Sequence, residues 1–364
     1  MLDIENKVQS ILISSLNKKI YSGAAVGVSR YIGEGIYNRS ITYTGCTEAW
    51  QYRFPVNKKT IFDLASLTKP LSTVLSLLQL ISEGKIEWNE TLDSLLSKKV
   101  DQDKEGITLS HLLSHSSGLP AYKAYYKKVT KSNFNQAKKK INRWILQEDL
   151  ENSPGKRQIY SDLGFILLGT IIEEKTGGSL AQFWQQKIAT PLRVKKRLHF
   201  LPSDMIEADE CVATVNRYKY RQKKVGLVHD ENCRAMGGVS GHAGLFGTCE
   251  GVLSLCEKIM TQYGNPAECD VVKNATLRKA LKKENDCRWA AGFDTPSLFN
   301  SLAGDYFSAN SFGHLGFTGT SFWMDMEREV VIVLLTNRVH MGTSREVINQ
   351  LRREIHNCIM REIV

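Results

Sequence analysis

Residues 62–70 read FDLASLTKP, with Ser66 and Lys69 directly ahead of a long apolar run. On a helix, a spacing of three sets the hydroxyl and the amine on the same side of one turn. Such a pair is the minimum equipment for a serine nucleophile activated by a lysine. Taken alone, Ser66 also reads as an ordinary helix N-cap, a position that serine favours. Its setting argues for more. A serine oxygen at the head of a buried helix sits at the positive end of the dipole, where developing negative charge is favoured. Burial disfavours an ammonium, so Lys69 in the same dry zone is placed to take the serine proton near neutral pH.

Downstream of Ser66, residues 67–84 predict one helix. Leu71, Val74, Leu75, Leu77, Leu78, Leu80 and Ile81 leave it apolar nearly all round, as in a central buried helix. Pro70 is tolerated in its opening turn and Gly84 ends it. Upstream, residues 3–19 predict an amphipathic helix with Ile4, Val8, Ile11, Leu12 and Leu16 on one face. A buried strand over Gly23 to Val28, a turn at Gly33-Glu34-Gly35 and a returning strand over Ile41 to Thr44 follow.

Residues 85–230 read as mostly helical, with turns at 117–120 and 153–155. A second buried helix, LGFILLGTII, starts near Tyr160 and closes at Gly177-Gly178. The glycine-dense stretch MGGVSGHAGLFG at 236–247 predicts a loop, and Thr248 opens a helix through Met260. Tyr306 to Phe312, Thr320 to Asp325 and Val330 to Leu335 predict three strands. Thr343 and Glu346 form a candidate capping box for a terminal helix with Ile348, Leu351, Ile355 and Ile359 facing inward. Strands at both ends and helices between imply one sheet built from both termini. The expected division is a discontinuous sheet part, 1–75 and 231–364, and a mainly helical part, 76–230.

Two further segments could join Ser66 and Lys69. Tyr160-Ser161-Asp162 heads the second buried helix, where the Tyr160 phenol could shuttle a proton between Ser66, Lys69 and a leaving group. Gly313-His314-Leu315-Gly316-Phe317-Thr318-Gly319 lies at a strand edge, whose amides can meet a carbonyl oxygen while glycines let a substrate approach the backbone. Other clusters read as structural. His229-Asp230-Glu231 has no second histidine at ligand spacing and reads as a hydrogen-bonding loop. His242 and His115 read as loop or turn residues. No GxSxG elbow, GxxxxGK[ST] or GxGxxG occurs, so a Ser-His-Asp elbow hydrolase and nucleotide cofactors are not indicated.

Composition sets the outer limits. The eight cysteines contain no CxxC pair, which argues against a metal cluster or redox motif; Cys249 and Cys256 read as small buried hydrophobes. The net charge of +10 concentrates at Lys123 to Arg143 and at Arg217 to Lys224, which reads RYKYRQKK. Solvated faces explain these stretches better than a nucleic-acid surface, with an anionic small substrate or acidic polymer as the intermediate case. No run approaches the ~18 apolar residues of a membrane span. The N-terminus shows no basic leader followed by an apolar block, so a cytosolic location is expected, with a periplasmic one as the alternative if a leader was removed.

The ordered motifs resemble those of the penicillin-recognising serine enzymes, in the branch that holds class C β-lactamases, DD-peptidases and family VIII esterases. LLSHSSGLP at 112–120, VHDEN at 228–232, GHAGLFGT at 241–248 and GHLGFTGTSFWMD at 313–325 also look like that branch. The resemblance runs from about residue 20 to 360. It implies an α+β fold of the β-lactamase/transpeptidase type, with an antiparallel sheet flanked by helices from both termini beside a helical domain, and the active site in the cleft between them. It implies Ser66 as nucleophile, Lys69 as base or relay, and Tyr160 assisting leaving-group protonation and water activation. The backbone amides of Ser66 and Phe317 would form the oxyanion hole, and Asp162, His314, Leu315, Gly316 and Thr318 would contact substrate. No metal or organic cofactor is implied.

Two positions depart from the pattern. Asp162 stands where the branch has asparagine; a carboxylate only accepts hydrogen bonds, and if it faces Lys69 it favours the charged lysine. Leu315 stands where a threonine would help bind a substrate carboxylate, and His314 is mostly neutral at pH 7. Thr318 or Arg338 could substitute. The expectation is a serine hydrolase acting on a small ester or amide, with a DD-carboxypeptidase or weak β-lactamase as alternative. A non-catalytic sensor on the same fold is the rival from another class.

Overall fold

Alternate residues of one strand divide the hydrophobic core. Strand β10, Val330–Thr336, turns Val330, Ile332 and Leu334 to one face and Val331, Val333 and Leu335 to the other, and all six are buried. Such a strand must be covered on both sides. The first face meets the helices Leu2–Asn17 and Arg345–Arg361 through Ile4, Val8, Leu12, Ile348, Leu351, Ile355 and Ile359. The second meets the helix Cys249–Gly264 and, beyond it, the central helical core. The computed structural model describes residues 2–50, 53–96, 99–200, 210–215, 226–265, 271–283 and 287–364. The basic stretch Arg217 to Lys224 and Cys269 fall outside them.

The main sheet also holds β1 (Gly23–Tyr31), β2 (Tyr37–Gly45), β6 (Trp289–Ala290), β7 (Phe293–Asp294), β8 (Ser311–Leu315) and β9 (Ser321–Asp325). Its order is β2-β1-β10-β9-β8-β7-β6, with every pairing antiparallel. Both termini thus contribute to one sheet, as the expected α+β class requires. Gly27 lets the Cys249–Gly264 helix close on β1: a Cβ there would lie 2.6 Å from Leu253 Cδ1 and 2.8 Å from Cys249 Sγ. Cys249 and Cys256 are buried on that helix.

A small second sheet, β3-β5-β4, joins Phe62–Asp63, Leu245–Gly247 and Leu198–Phe200. It brackets the segment that leads into Ser66. The helical part centres on Asp162–Thr176, with ten of its residues from Leu163 to Ile172 buried. Ser161 caps it by accepting from Gly164 N–H at 3.1 Å, and Gly177 closes it in the left-handed conformation.

Four expectations are corrected. The single helix over 67–84 is a 3₁₀ turn at Ala65–Leu67, a wide π turn at Lys69–Val74 and an α-helix at Leu75–Ser82. Pro70 has no amide hydrogen and its ring conflicts with the carbonyl four residues back, so a regular α-turn cannot start at Ser66. The strand placed at 306–312 is Ser311–Leu315. Ser308 is diverted by Asp325, which accepts from its amide at 2.9 Å and its hydroxyl at 2.7 Å. The 236–247 loop ends in strand β5. The terminal helix is capped by Ser344, because the Thr343 hydroxyl donates instead to Ile20 O at 2.7 Å.

Candidate active site

Ser66 follows a strained residue. Ala65 has φ +47°, in the left-handed region that a non-glycine residue enters only when its surroundings hold it there. The buried Asp63 carboxylate does that holding: it accepts from Ala65 N–H at 2.8 Å and from His229 N–H at 2.7 Å. Burial pushes the Asp63 carboxyl up to about 6 against those two amides, which pull the other way.

Lys69 is fully buried beneath Ser66. Its Nζ donates to Ser66 Oγ at 3.1 Å, Asp162 Oδ1 at 2.7 Å and His242 O at 3.3 Å. It also lies 4.7 Å from the centre of the Tyr160 ring. Burial acts to lower the ammonium's pKa, but the Asp162 carboxylate and Tyr160 overcome it and leave Lys69 raised. Tyr160 is raised as well: burial dominates, and the Lys69 charge offsets part of it. The resting set is therefore a serine hydroxyl, a lysine ammonium and a neutral phenol.

His115, at φ +58°, is buried against Tyr160 with ring centres 4.6 Å apart. Its Nδ1 accepts from Ser161 N–H at 3.1 Å, so the turn residue also sets the direction of the Tyr160-Ser161-Asp162 segment. The VHDEN segment is a hydrogen-bonded loop. Asp230 accepts from Cys233 N–H at 2.7 Å, capping the helix Glu231–Ala235, and pairs with His242 Nε2 at 2.8 Å. The Asp230 carboxyl is held well below the usual range; burial opposes this, and His242 overcomes it.

The third segment closes the cleft. His314, Leu315, Gly316 and Phe317 line it with Ser66, Tyr160 and Asp162, around a volume of about 640 Å³. His314 Nδ1 lies 2.9 Å from Leu315 O and so carries the ring proton. Burial, then the Lys69 charge, lowers its pKa to about 3, and the ring brings no positive charge to the cleft. Beyond Gly313, which pairs with Asp294, β8 has a free edge on the cleft side among the described residues. Phe317 is half exposed between His229, stacked at 5.2 Å, and the Arg338 guanidinium, 4.7 Å from its ring centre.

Thr318 does not face the cleft, contrary to expectation. It is buried and its hydroxyl donates to Asp63 O at 2.8 Å, tying the Gly316–Thr320 turn to the strand before Ser66. Thr320 makes a parallel tie to Leu64 O at 3.2 Å. Arg338 and Arg345 do line the cleft. Sequence reasoning missed Asp63, Thr68 and Arg352. Arg352 had a visible signal, since it follows Leu351 on the inward side of the terminal helix.

Comparison with known proteins gives the family and the fold. A family model described as Beta-lactamase matches residues 16–357. The N-acetylmuramyl-L-alanine amidase of Bacillus subtilis (strain 168) is 30% identical over 334 residues, covering 85% of this chain and 75% of that protein. The octameric penicillin-binding protein homologue from Pyrococcus abyssi superposes with TM-score 0.75 at 18% identity, covering 98% of this chain and 77% of that one. EstCE1, a hydrolase with promiscuous acyltransferase activity, superposes with TM-score 0.74 at 20% identity, covering 98% of both chains. Among the described residues no helix is long and apolar enough to cross a membrane. A match over nearly the whole chain, on the expected fold, places this protein in the β-lactamase family of serine hydrolases.

Proposed function

We propose that the protein hydrolyses a small amide or ester through a covalent acyl-enzyme at Ser66. The observation that carries this reading is the 3.1 Å contact of Lys69 Nζ with Ser66 Oγ at the floor of an open cleft. Ser66 Oγ attacks the substrate carbonyl carbon and its proton passes to Lys69 in the fraction of molecules whose amine is neutral. The carbonyl oxygen, now negative, takes hydrogen bonds from the amides of Ser66 and Phe317. Tyr160 gives its phenolic proton to the departing amine or alkoxide and regains one from Lys69. Water then attacks the Ser66 ester by the reverse route and releases the acid.

On this reading the cleft separates a sheet part, 1–75 and 231–364, from a helical part, 76–230. Arg338 and Arg345 along its wall favour a substrate with an anionic group, and the relative named N-acetylmuramyl-L-alanine amidase supports a linear amide over the cyclic amide of a β-lactam. A second reading, a sensor that acylates without turnover, draws support from the Asp162 carboxylate that holds Lys69 charged.

A short-chain nitrophenyl ester separates the two. Steady release of nitrophenol that disappears in Ser66→Ala supports the hydrolase. One equivalent of label on Ser66 with no further release supports the sensor. Undiminished turnover in Ser66→Ala would refute both.

A further inference from the structure

We propose that Arg352 is a positioning residue for the oxyanion site, acting through the peptide that joins Gly316 to Phe317. The proposal rests on the reading of Ser66 as nucleophile. In a trans peptide the carbonyl and the following N–H point in opposite directions. A donor that fixes Gly316 O from one side therefore aims Phe317 N–H to the other. Arg352 Nη2 donates to Gly316 O at 2.6 Å and to Thr320 O at 2.8 Å, while Nη1 donates to Asn349 Oδ1 at 2.8 Å. Gly319 N–H makes a second bond to Gly316 O at 3.0 Å, so the carbonyl is held by two donors.

The guanidinium is buried, and its hydrogen-bond acceptors are two carbonyls and an amide oxygen, with no carboxylate among them. A buried charge is costly unless well satisfied. Here Nη2 gives both of its hydrogen bonds to the Gly316–Thr320 turn and Nη1 bonds Asn349, while Nε is buried without a partner among the described residues. Burial, then the charges of Arg338 and Arg345, lowers its pKa to about 9, which leaves it cationic at neutral pH. A charged donor on a carbonyl is stronger than a neutral one and polarises the amide it belongs to. Phe317 N–H becomes both better aimed and a better donor.

The Ser66 peptide is held in the same way from behind. Ala65 O accepts from the Thr68 hydroxyl at 2.6 Å, and that hydroxyl in turn accepts from Leu245 N–H at 3.1 Å. Neither Ser66 N–H nor Phe317 N–H makes a hydrogen bond among the described residues. Two amides are thus open to a ligand, each fixed through its own carbonyl, and only the Phe317 amide has a cation behind it.

The test uses the full chain with Arg352→Met, Arg352→Gln and Arg352→Lys. Three quantities are read: kcat and KM for a nitrophenyl ester, the inhibition constant of a phenylboronic acid, and the melting temperature. The boronic acid becomes tetrahedral on a serine oxygen and places one of its own oxygens where the oxyanion would lie. In Arg352→Met, kcat falls about 10–100-fold and boronate affinity falls in step, with KM nearly unchanged; loss of a whole oxyanion donor costs more. Arg352→Lys recovers part of both. Should Arg352→Met fail to fold, Arg352→Gln carries the test, with a smaller fall expected in the same two quantities. A lower melting temperature with kcat and boronate affinity unchanged in a folded Arg352→Met or Arg352→Gln overturns the proposal and leaves Arg352 a structural tie. Failure of the wild type to label at Ser66 overturns the parent reading and this one with it.

Discussion

Asp162 Oδ1 sits 2.7 Å from Lys69 Nζ, so the lysine that faces Ser66 is one half of an ion pair. The pair is asymmetric. Lys69 is fully buried, whereas the Asp162 side chain keeps about a fifth of its exposure to the cleft. A substrate entering the cleft therefore changes the solvation of the carboxylate before it touches the amine. Burial disfavours the ammonium, and the carboxylate restores it together with Tyr160, so the largest influence that keeps Lys69 charged comes from a neighbour 93 residues away in sequence.

Replacing that neighbour should show it. In Asp162→Asn the largest raising influence is removed, Tyr160 alone is left to oppose burial, and the amine is pulled down. The rise of acylation rate with pH should move to lower pH by at least about one unit. The rate of Ser66 labelling across pH 5 to 10 measures this. An unmoved profile would mean that Lys69 is not the group whose deprotonation limits acylation.

Lys69→Ala removes the proton acceptor and leaves the Tyr160 phenol, whose raised pKa makes it a poor base at pH 7. Acylation should fall by about 10²–10⁴-fold. Stopped-flow nitrophenol release checks this, and a near-normal rate would remove Lys69 from the mechanism.

Asp63→Ala takes the acceptor away from two buried amides, those of Ala65 and His229. Unsatisfied buried donors cost about 1–3 kcal/mol each. Urea denaturation should report a loss of stability of about 2–5 kcal/mol. Because the same carboxylate holds Ala65 at positive φ, Ser66 labelling should slow in the protein that remains folded. A stable variant that labels normally would show that the turn holds itself.

Gly316→Ala tests how tightly the oxyanion turn is packed. A Cβ there would meet Thr320 Oγ1 and would lie 2.9 Å from Leu64 O. Overpacking of this kind costs about 1–3 kcal/mol. Adding Thr320→Ala should return part of the loss by removing the nearer atom, and thermal melts of the single and double variants decide it. Equal melting of Gly316→Ala and wild type would contradict the packing described.

Stability should fall with acid, starting near the ordinary histidine value of 6.5. Burial lowers His229 to about 4 and His314 and His356 to about 3, and it takes His115 well below its ordinary value. Below that ordinary value the unfolded chain binds protons that the folded chain refuses. The stability fully present above it is therefore lost as pH falls toward the folded values of about 4 and about 3. Each group contributes up to about 1.4 kcal/mol per pH unit. Asp63 acts the other way: raised to about 6 from 3.8, it binds its proton first in the folded state and adds stability as pH falls through about 6. Four histidines outweigh one carboxyl. Melting temperatures from pH 7.5 to 5 should decline, and a flat or rising series would show that these rings are reached by water.

Much of this protein is legible from local rules. The spacing of Ser66 and Lys69, the apolar stripe of the terminal helix, the buried helix that starts near Tyr160 and closes at Gly177, and the strands at both ends all follow from periodicity, caps and turn chemistry, which act over a few residues. What those rules could not reach is which way a polar side chain faces once distant segments meet. Asp162 turns to Lys69, Thr318 turns from the cleft to Asp63 O, and Arg352 reaches across 36 residues to the carbonyl of Gly316. A donor inside a folded chain takes whichever acceptor packing brings within about 3 Å, because leaving it unpaired there costs more than any local preference is worth. That choice belongs to the tertiary contacts, and the chemistry of the site depends on it.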